Sequence, residues 1–456
     1  EVGSWKLEVR SWRLDFSDRL TSKIKLASSL MHSAFWVEKT RSVNKVLLSA
    51  KALLISSFWL LTSLAEAQEI DQYQQIAAEN NPGLKAKYKA YESRMEQITE
   101  REGLTDPTFS FGYFISPIET RVGPQRARFN LTQMFPWFGT LKARGNVAAL
   151  EAEAEFHAFL AAKAQLSYQV AQAYYPLYEL EEWIQIEQEN QDILKTYLKI
   201  VRQQFENGKS PMVDVLRVEM YLQQSETQLA LLRDKRTPLL SQFNALLNRA
   251  ADTEVMISAS LDFYSEPETL DKDTLLEQHP EWLTLQSKTE AAKARTALIK
   301  KEQMPKIGVG MDYLIVDNAN TAVIDSGKDA WMPLVSLSLP IFGKKNKAAQ
   351  KAAELMVESN ALEQEALSLK FSSEYDRIDY KLREQQKLYE LYASQMETIE
   401  RSLRLRLAAY ENTEASIEDI LSLQQQWLTY QKEKATAISN YHIAWSELTY
   451  YTSKYE

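Results

Sequence analysis

"FNLTQMFPWFGTLKARG", residues 129–145, alternates apolar and polar side chains, meets a proline and passes into a helical pattern. Residues 334–348, "LVSLSLPIFGKKNKA", repeat that order: alternating strand, Pro, aromatic, Gly, basic helix start. Making such a junction twice implies a tandem repeat, and the sequence laid on itself supports one. "ENNPGLKAKYKAYESRMEQITEREGLTDPTFSFGY" (79–113) overlays "EQHPEWLTLQSKTEAAKARTALIKKEQMPKIGVGM" (277–311) without a gap, pairing Pro82 with Pro280, Pro107 with Pro305 and Gly112 with Gly310. The junctions pair Pro136 with Pro340, Phe138 with Phe342 and Gly139 with Gly343, and "FENGKSPMVDVL" (205–216) meets "YENTEASIEDIL" (410–421). Each copy reads helix, strand, loop, strand, very long helix, turn, helix. The expected organisation is a first repeat over 68–250, an irregular linker over 251–275 and a second repeat over 276–456.

The strands are the sharpest signal. In 105–115 the odd positions Phe109, Phe111, Tyr113 and Ile115 are apolar, against Thr108, Ser110 and Gly112. The same parity sets Phe129, Leu131, Phe135 and Trp137 against Arg126, Arg128, Asn130 and Thr132 in 125–137. It sets Ile307, Val309, Met311, Tyr313 and Ile315 against Lys306, Gly308, Gly310 and Asp312 in 306–316, and Val335, Leu337, Leu339 and Ile341 against Ser336 and Ser338 in 331–341. Strands of about ten residues with one greasy and one wet face suit a membrane barrel. A soluble sheet would need a cover, and the neighbouring helices are too long and rod-like to supply a compact one. Four strands cannot close alone, and open edges are intolerable in lipid, so several chains must share one barrel. Two copies would give the minimum of about eight strands, and three would give twelve.

From Thr140 to Phe205 no Gly follows Gly145, and some 66 residues of helix at 1.5 Å each reach roughly 100 Å. Copy two repeats this from Lys344 to Tyr410. Pro176 inside the first rod should disturb it locally. Only 12 Gly occur in 456 residues, and eight of them fall in or beside the strand regions, so the rest of the chain is free for uninterrupted helix.

Residues 45–67, "KVLLSAKALLISSFWLLTSLAEA", have a basic start, an apolar run and an Ala-Glu-Ala ending, the pattern of a secretory signal with cleavage before Gln68. Residues 1–44 upstream are read as an over-extended start. The whole chain carries −9, and the part after the signal is more acidic still, because 1–67 is net basic. An acidic exported protein is a poor nucleic-acid binder. With no Cys, neither disulfides nor thiolate metal sites can form. The four His (His32, His157, His279, His442) are scattered, no phosphate-cradling loop or nucleophile elbow is present, and no catalysis, metal or cofactor is implied.

The doubled order of elements, the "FPWFGT" and "LPIFGKK" junctions and the "FENGKSPMVDVL" and "YENTEASIEDIL" turns resemble the TolC family of outer-membrane efflux channels over about 70–456. The resemblance implies a mostly α fold with a small membrane β part. Each chain of a homotrimer would give four strands to a twelve-stranded β-barrel in outer-membrane lipid and long helical hairpins to a periplasmic α-helical tunnel, with the linker forming an equatorial belt. It implies a passive channel of a tripartite efflux system, supplied by an inner-membrane efflux pump through a periplasmic adaptor (membrane fusion protein). The rival expectations are an exported coiled-coil scaffold and the adaptor itself. An adaptor should have one helical hairpin flanked by Gly-rich β domains, whereas two hairpins are read here.

The two turns become the periplasmic tips, where Gly208 suits a tight turn and Asp214 and Asp419 occupy matching positions. Family resemblance gives these carboxylates and Tyr410 a gating role; the ordinary alternative is helix capping and first-turn dipole stabilisation. A basic partner for Tyr410 found in some members is missing, since Ala415 stands at its place. Arg126, Arg128, Lys306 and Asp312 should face the barrel lumen, as selectivity elements or a wetted wall. Trp137, Phe138, Trp331 and Phe342 suit membrane-interface aromatics or simple packing.

Overall fold

The computed structural model describes residues 69–258, 260–264, 272–320, 324–340, 343–411 and 416–452. The expected export signal, the stretch before it, Phe342 and Ala415 lie outside the described residues. The first repeat runs α1 (Glu69–Asn80), α2 (Pro82–Glu102), β1 (Thr108–Thr120), β2 (Gly123–Phe135), α3 (Thr140–Glu206) and α4 (Met212–Leu246). The second runs α5 (Lys272–Gln278), α6 (Pro280–Glu302), β3 (Lys306–Val316), β4 (Ala330–Ser338), α7 (Gly343–Glu411) and α8 (Ile417–Thr452). The expected repeat and its element order are both present.

Local chemistry explains the breaks. Between α1 and α2 the side chain of Asn81 accepts from the Leu84 N–H at 3.1 Å, and Pro82 takes the first helical position, where its missing N–H costs nothing. His279 and Pro280 repeat the device: His279 Nδ1 accepts from the Glu281 N–H at 3.3 Å. α3 and α7 are 67 and 69 residues long, about 100 Å each, and α3 continues through Pro176. The α3–α4 turn closes with paired bonds, Gly208 N–H to Phe205 C=O at 2.9 Å and Lys209 N–H to Gln204 C=O at 2.8 Å. Gly208 there has φ +70, the left-handed conformation that such a helix ending requires.

The four strands form one antiparallel sheet in the order β1-β2-β3-β4. Register places Phe111, Phe129, Tyr313 and Trp331 in one row and Ser110, Asn130, Asp312 and Met332 in the next. The expected parity therefore holds through the ladder, with two local departures. β1 slips between Tyr113 and Ile118, around Pro117, so Ile115 has no partner in the ladder, and β2 slips at Arg126. The boundaries also move: β1 runs on to Thr120 and β2 stops at Phe135, because Pro136 has no N–H to give the ladder.

Apolar packing is divided into separate clusters along the helices. Around the linker, Tyr174, Leu177 and Phe243 are buried with Leu247 and Val255. The Tyr73 and Tyr174 hydroxyls accept from the backbone of Met256 at 2.9 Å and Ser258 at 3.0 Å, pinning the linker to the helices. Near the tip, Val201, Val218, Ile417, Ile420 and Leu421 form another core. Between them lies a polar knot. Glu187, 1 % exposed, accepts from Ser225 at 2.5 Å and pairs with Lys432. Asn190 donates to Ser225 at 3.3 Å and accepts from Gln424 at 3.1 Å. Three helices, α3, α4 and α8, are joined through these side chains.

Breaking a buried ion pair leaves an uncompensated charge. Glu187→Ala is therefore expected to destabilise the protein by about 3 kcal/mol, and Glu187→Leu with Lys432→Met to recover most of that loss, in urea unfolding followed by circular dichroism. A second test concerns His442, which is buried and stacks on Tyr175 with ring centroids 5.1 Å apart. Burial pushes its pKa down from 6.5 to about 4, against a weaker opposing pull from Asp262. A depressed pKa contributes stability that is present above the unfolded value and is lost as pH falls through the folded one. Stability should fall by about 3 kcal/mol between pH 6.5 and 4, and His442→Phe should flatten that slope in unfolding curves across the window.

Candidate functional site

The sheet brings together the residues expected at a channel wall. Its odd-numbered face is bare: Phe109 is 64 % exposed, Trp331 66 % and Val335 80 %. The opposite face carries the charges. Arg128 donates to Asp312, whose other oxygen accepts from Asn130 at 2.8 Å, and Asp312 is fully covered. Arg126 lies 3.0 Å from Asp317 in the loop after β3, while Lys306 is exposed at the start of β3. Parity alone placed Arg128 and Asp312 on one face; their pairing depends on a register between strands 184 residues apart. The polar face is not uniform, because Leu314, Met332 and Leu334 share it through the register.

Junction aromatics occupy both ends of the sheet. Trp137 and Phe138 stand edge-on to each other with centroids 6.0 Å apart, in the turn that leads into α3. Gly139 has φ +76 there, a left-handed conformation that favours glycine. Trp331 sits near the far end, its ring tilted against that of Tyr313 with centroids 4.6 Å apart.

At the turns, α3–α4 and α7–α8 share the tip core in which Tyr410 is buried. Burial raises the Tyr410 pKa, a contact with Ser210 opposes this, and the charge of Asp214 adds to it. Asp214, in the first turn of α4, is itself raised by burial, partly offset by Arg217. Arg217 also reaches Glu418 at 3.0 Å and Arg406 reaches Asp419 at 3.6 Å. Arg217 therefore ties the two turns together, and Arg406 binds the two helices of the second hairpin. The sequence reading passed over both. Their spacing was a usable signal, since Arg217 follows Asp214 by three residues and Arg406 precedes Tyr410 by four, intervals that share a helix face.

Among the described residues, no group of three or more His, Asp or Glu is placed to hold a metal ion, and no helix is long and apolar enough to cross a membrane. Asp312→Ala removes the acceptor of both Arg128 and Asn130. It is expected to lower the melting temperature of the β signal in circular dichroism, whereas Asp312→Asn should lower it less.

The model of the outer membrane efflux protein family matches residues 62–249 and 273–453, which takes in both repeats. No curated protein matches the chain. Solved structures do: CusC, at 14 % identity and TM-score 0.72, over 84 % of this chain and 92 % of that one. The Campylobacter jejuni CmeC outer membrane channel matches at 14 % and 0.68, over 84 % and 85 %. The outer membrane protein VceC of Vibrio cholerae matches at 16 % and 0.68, over 84 % and 96 %. Such identities establish a shared fold, and the family match covers most of the chain. A four-stranded sheet bare on one face and charged on the other, continued by paired 100 Å helices, is the architecture of the family to which this chain belongs: it is an outer membrane efflux protein, a channel in the outer membrane that extends into the periplasm.

Proposed function

We propose that three copies of the chain close a twelve-stranded barrel and a helical tunnel, forming the passive outer channel of a tripartite efflux system. One observation carries the proposal: the sheet has a bare apolar face and two edge strands, β1 and β4, each paired on one side only. Further copies joined edge to edge satisfy the open ladder, and lipid satisfies the bare face. The channel supplies no energy of its own. An inner-membrane pump delivers cargo, and a periplasmic adaptor joins the two. Residues 45–67 direct export and are removed, 68–250 and 276–456 are the two structural repeats, and 251–275 forms the belt.

Within this assembly Arg126, Arg128, Lys306 and Asp312 line the barrel lumen. Asp214, Asp419, Tyr410 and Gly208 belong to the constriction at the tip, where three copies bring six carboxylates near one axis and favour cations. Trp137, Phe138 and Trp331 mark the membrane boundaries.

Protein purified in detergent should migrate as a trimer that heat converts to monomer, and should give single-channel conductance in a planar bilayer. Asp214→Asn with Asp419→Asn should lower the cation-over-anion permeability ratio by roughly twofold or more, from reversal potentials in a salt gradient. A monomeric species without conductance would remove the channel proposal.

A further inference from the structure

At the first strand-to-helix junction the structure forms a cavity of about 480 Å³ whose lining includes Phe135, Trp137, Phe138, Leu141, Ile307 and Lys142. That volume is within the range of small-molecule sites. Phe135 pairs with Ile307 in the β2–β3 ladder, and both share the parity of Phe109 and Leu131, so the cavity opens on the lipid face. β2 and β3 are the central strands, so copies joined through β1 and β4 leave this cavity uncovered. It sits where the chain leaves the sheet for α3, at the level where a membrane ends and the periplasm begins.

The charge at its rim is one-sided. Lys142 belongs to the lining and is exposed. Lys301 places its ammonium 3.4 Å from the Gly139 carbonyl, also part of the lining. Neither lysine has an ion pair among the described residues. Of the neighbouring carboxylates, Glu302 is taken by Arg144 at 2.8 Å, and Glu102 packs against the backbone of Gly145. An apolar slot on the lipid side, capped by two cations without an ion pair among the described residues, complements one molecule with an acyl chain at one end and a phosphate at the other.

We propose that this junction is a binding site for an anionic phospholipid of the inner leaflet, with its acyl chain along Phe135 and Ile307 and its phosphate between Lys142 and Lys301. The assignment rests on the trimeric barrel proposed above. Bound lipid would stiffen the turn through which the barrel passes its position to the tunnel.

The test is native mass spectrometry of the trimer titrated with dioleoylphosphatidylglycerol, with dioleoylglycerol, which has the same chains and no phosphate, and with inorganic phosphate alone. Wild type should retain up to one phosphatidylglycerol per chain, about tenfold more tightly than dioleoylglycerol. Inorganic phosphate should not displace it. Lys142→Gln with Lys301→Gln should lose about tenfold in retention while conductance and trimer migration stay unchanged. Because Lys142 is exposed, Lys142→Glu alone should fold and give the same loss if the double variant does not assemble. Equal retention of both lipids, displacement by phosphate, or lysine variants that bind as wild type would overturn the lipid site while leaving the channel intact. Absence of a trimer in the wild type would overturn both.

Discussion

A four-stranded sheet with one bare apolar face and two open edges is the constraint on which the rest depends. In water the exposed Phe109, Phe111 and Val335 face is costly, and in lipid the unpaired N–H and C=O groups of β1 and β4 are worse, at several kcal/mol each. Closure with further copies relieves both at once. Once the barrel closes, the exit direction of β2 and β4 is set, and α3 and α7 must begin from those points. The left-handed turn at Gly139 lets the chain change direction four residues after the last β2 ladder pair, Phe135 with Ile307.

The helices face a different difficulty. Two rods of about 100 Å have no single deep core to hold them, and their apolar packing is split into separate clusters. The Glu187, Asn190, Ser225, Gln424 and Lys432 knot satisfies these buried polar groups in the observed register. Such groups contribute little to net stability and much to alignment, the same use that a buried polar position serves in coiled coils. It lies between the linker clamp and the tip core.

Much of the fold could be read from the chain because its signals are local. Alternation in "TFSFGY" and "KIGVGMDY", Pro82 and Pro280 as helix starts, and the Gly-free run after Gly145 each act within a few residues. What escaped needs long-range register. Asp312 meeting Arg128, and Gln424 meeting Asn190 across 234 residues, depend on packing that no local pattern encodes. Ile115 and Arg126 followed the alternating parity on paper, yet register shifts beside Pro117 and Gln125 leave them without ladder partners. At the tip, the two turns were legible as a repeat, whereas the Arg217–Glu418 and Arg406–Asp419 contacts bring together helices that only the tertiary fold makes adjacent.

For the proposed trimer, the distribution of charge bears on where ions would be selected. In the barrel, Arg128 is matched by Asp312 and Arg126 by Asp317, so these four groups add no net charge, and Lys306 is left as the one of the expected lumen charges without a partner among the described residues. The tip differs. Its pairs are half exposed, Arg406 and Asp419 stand 3.6 Å apart, and burial beside Glu418 raises the pKa of Asp214. Exposed pairs are weak and screened by salt, so they can part without much cost, whereas the covered Asp312 cannot lose Arg128 so freely. In the proposed trimer, charges tied together on the sheet and loosely held at the tip would place ionic discrimination at the periplasmic end.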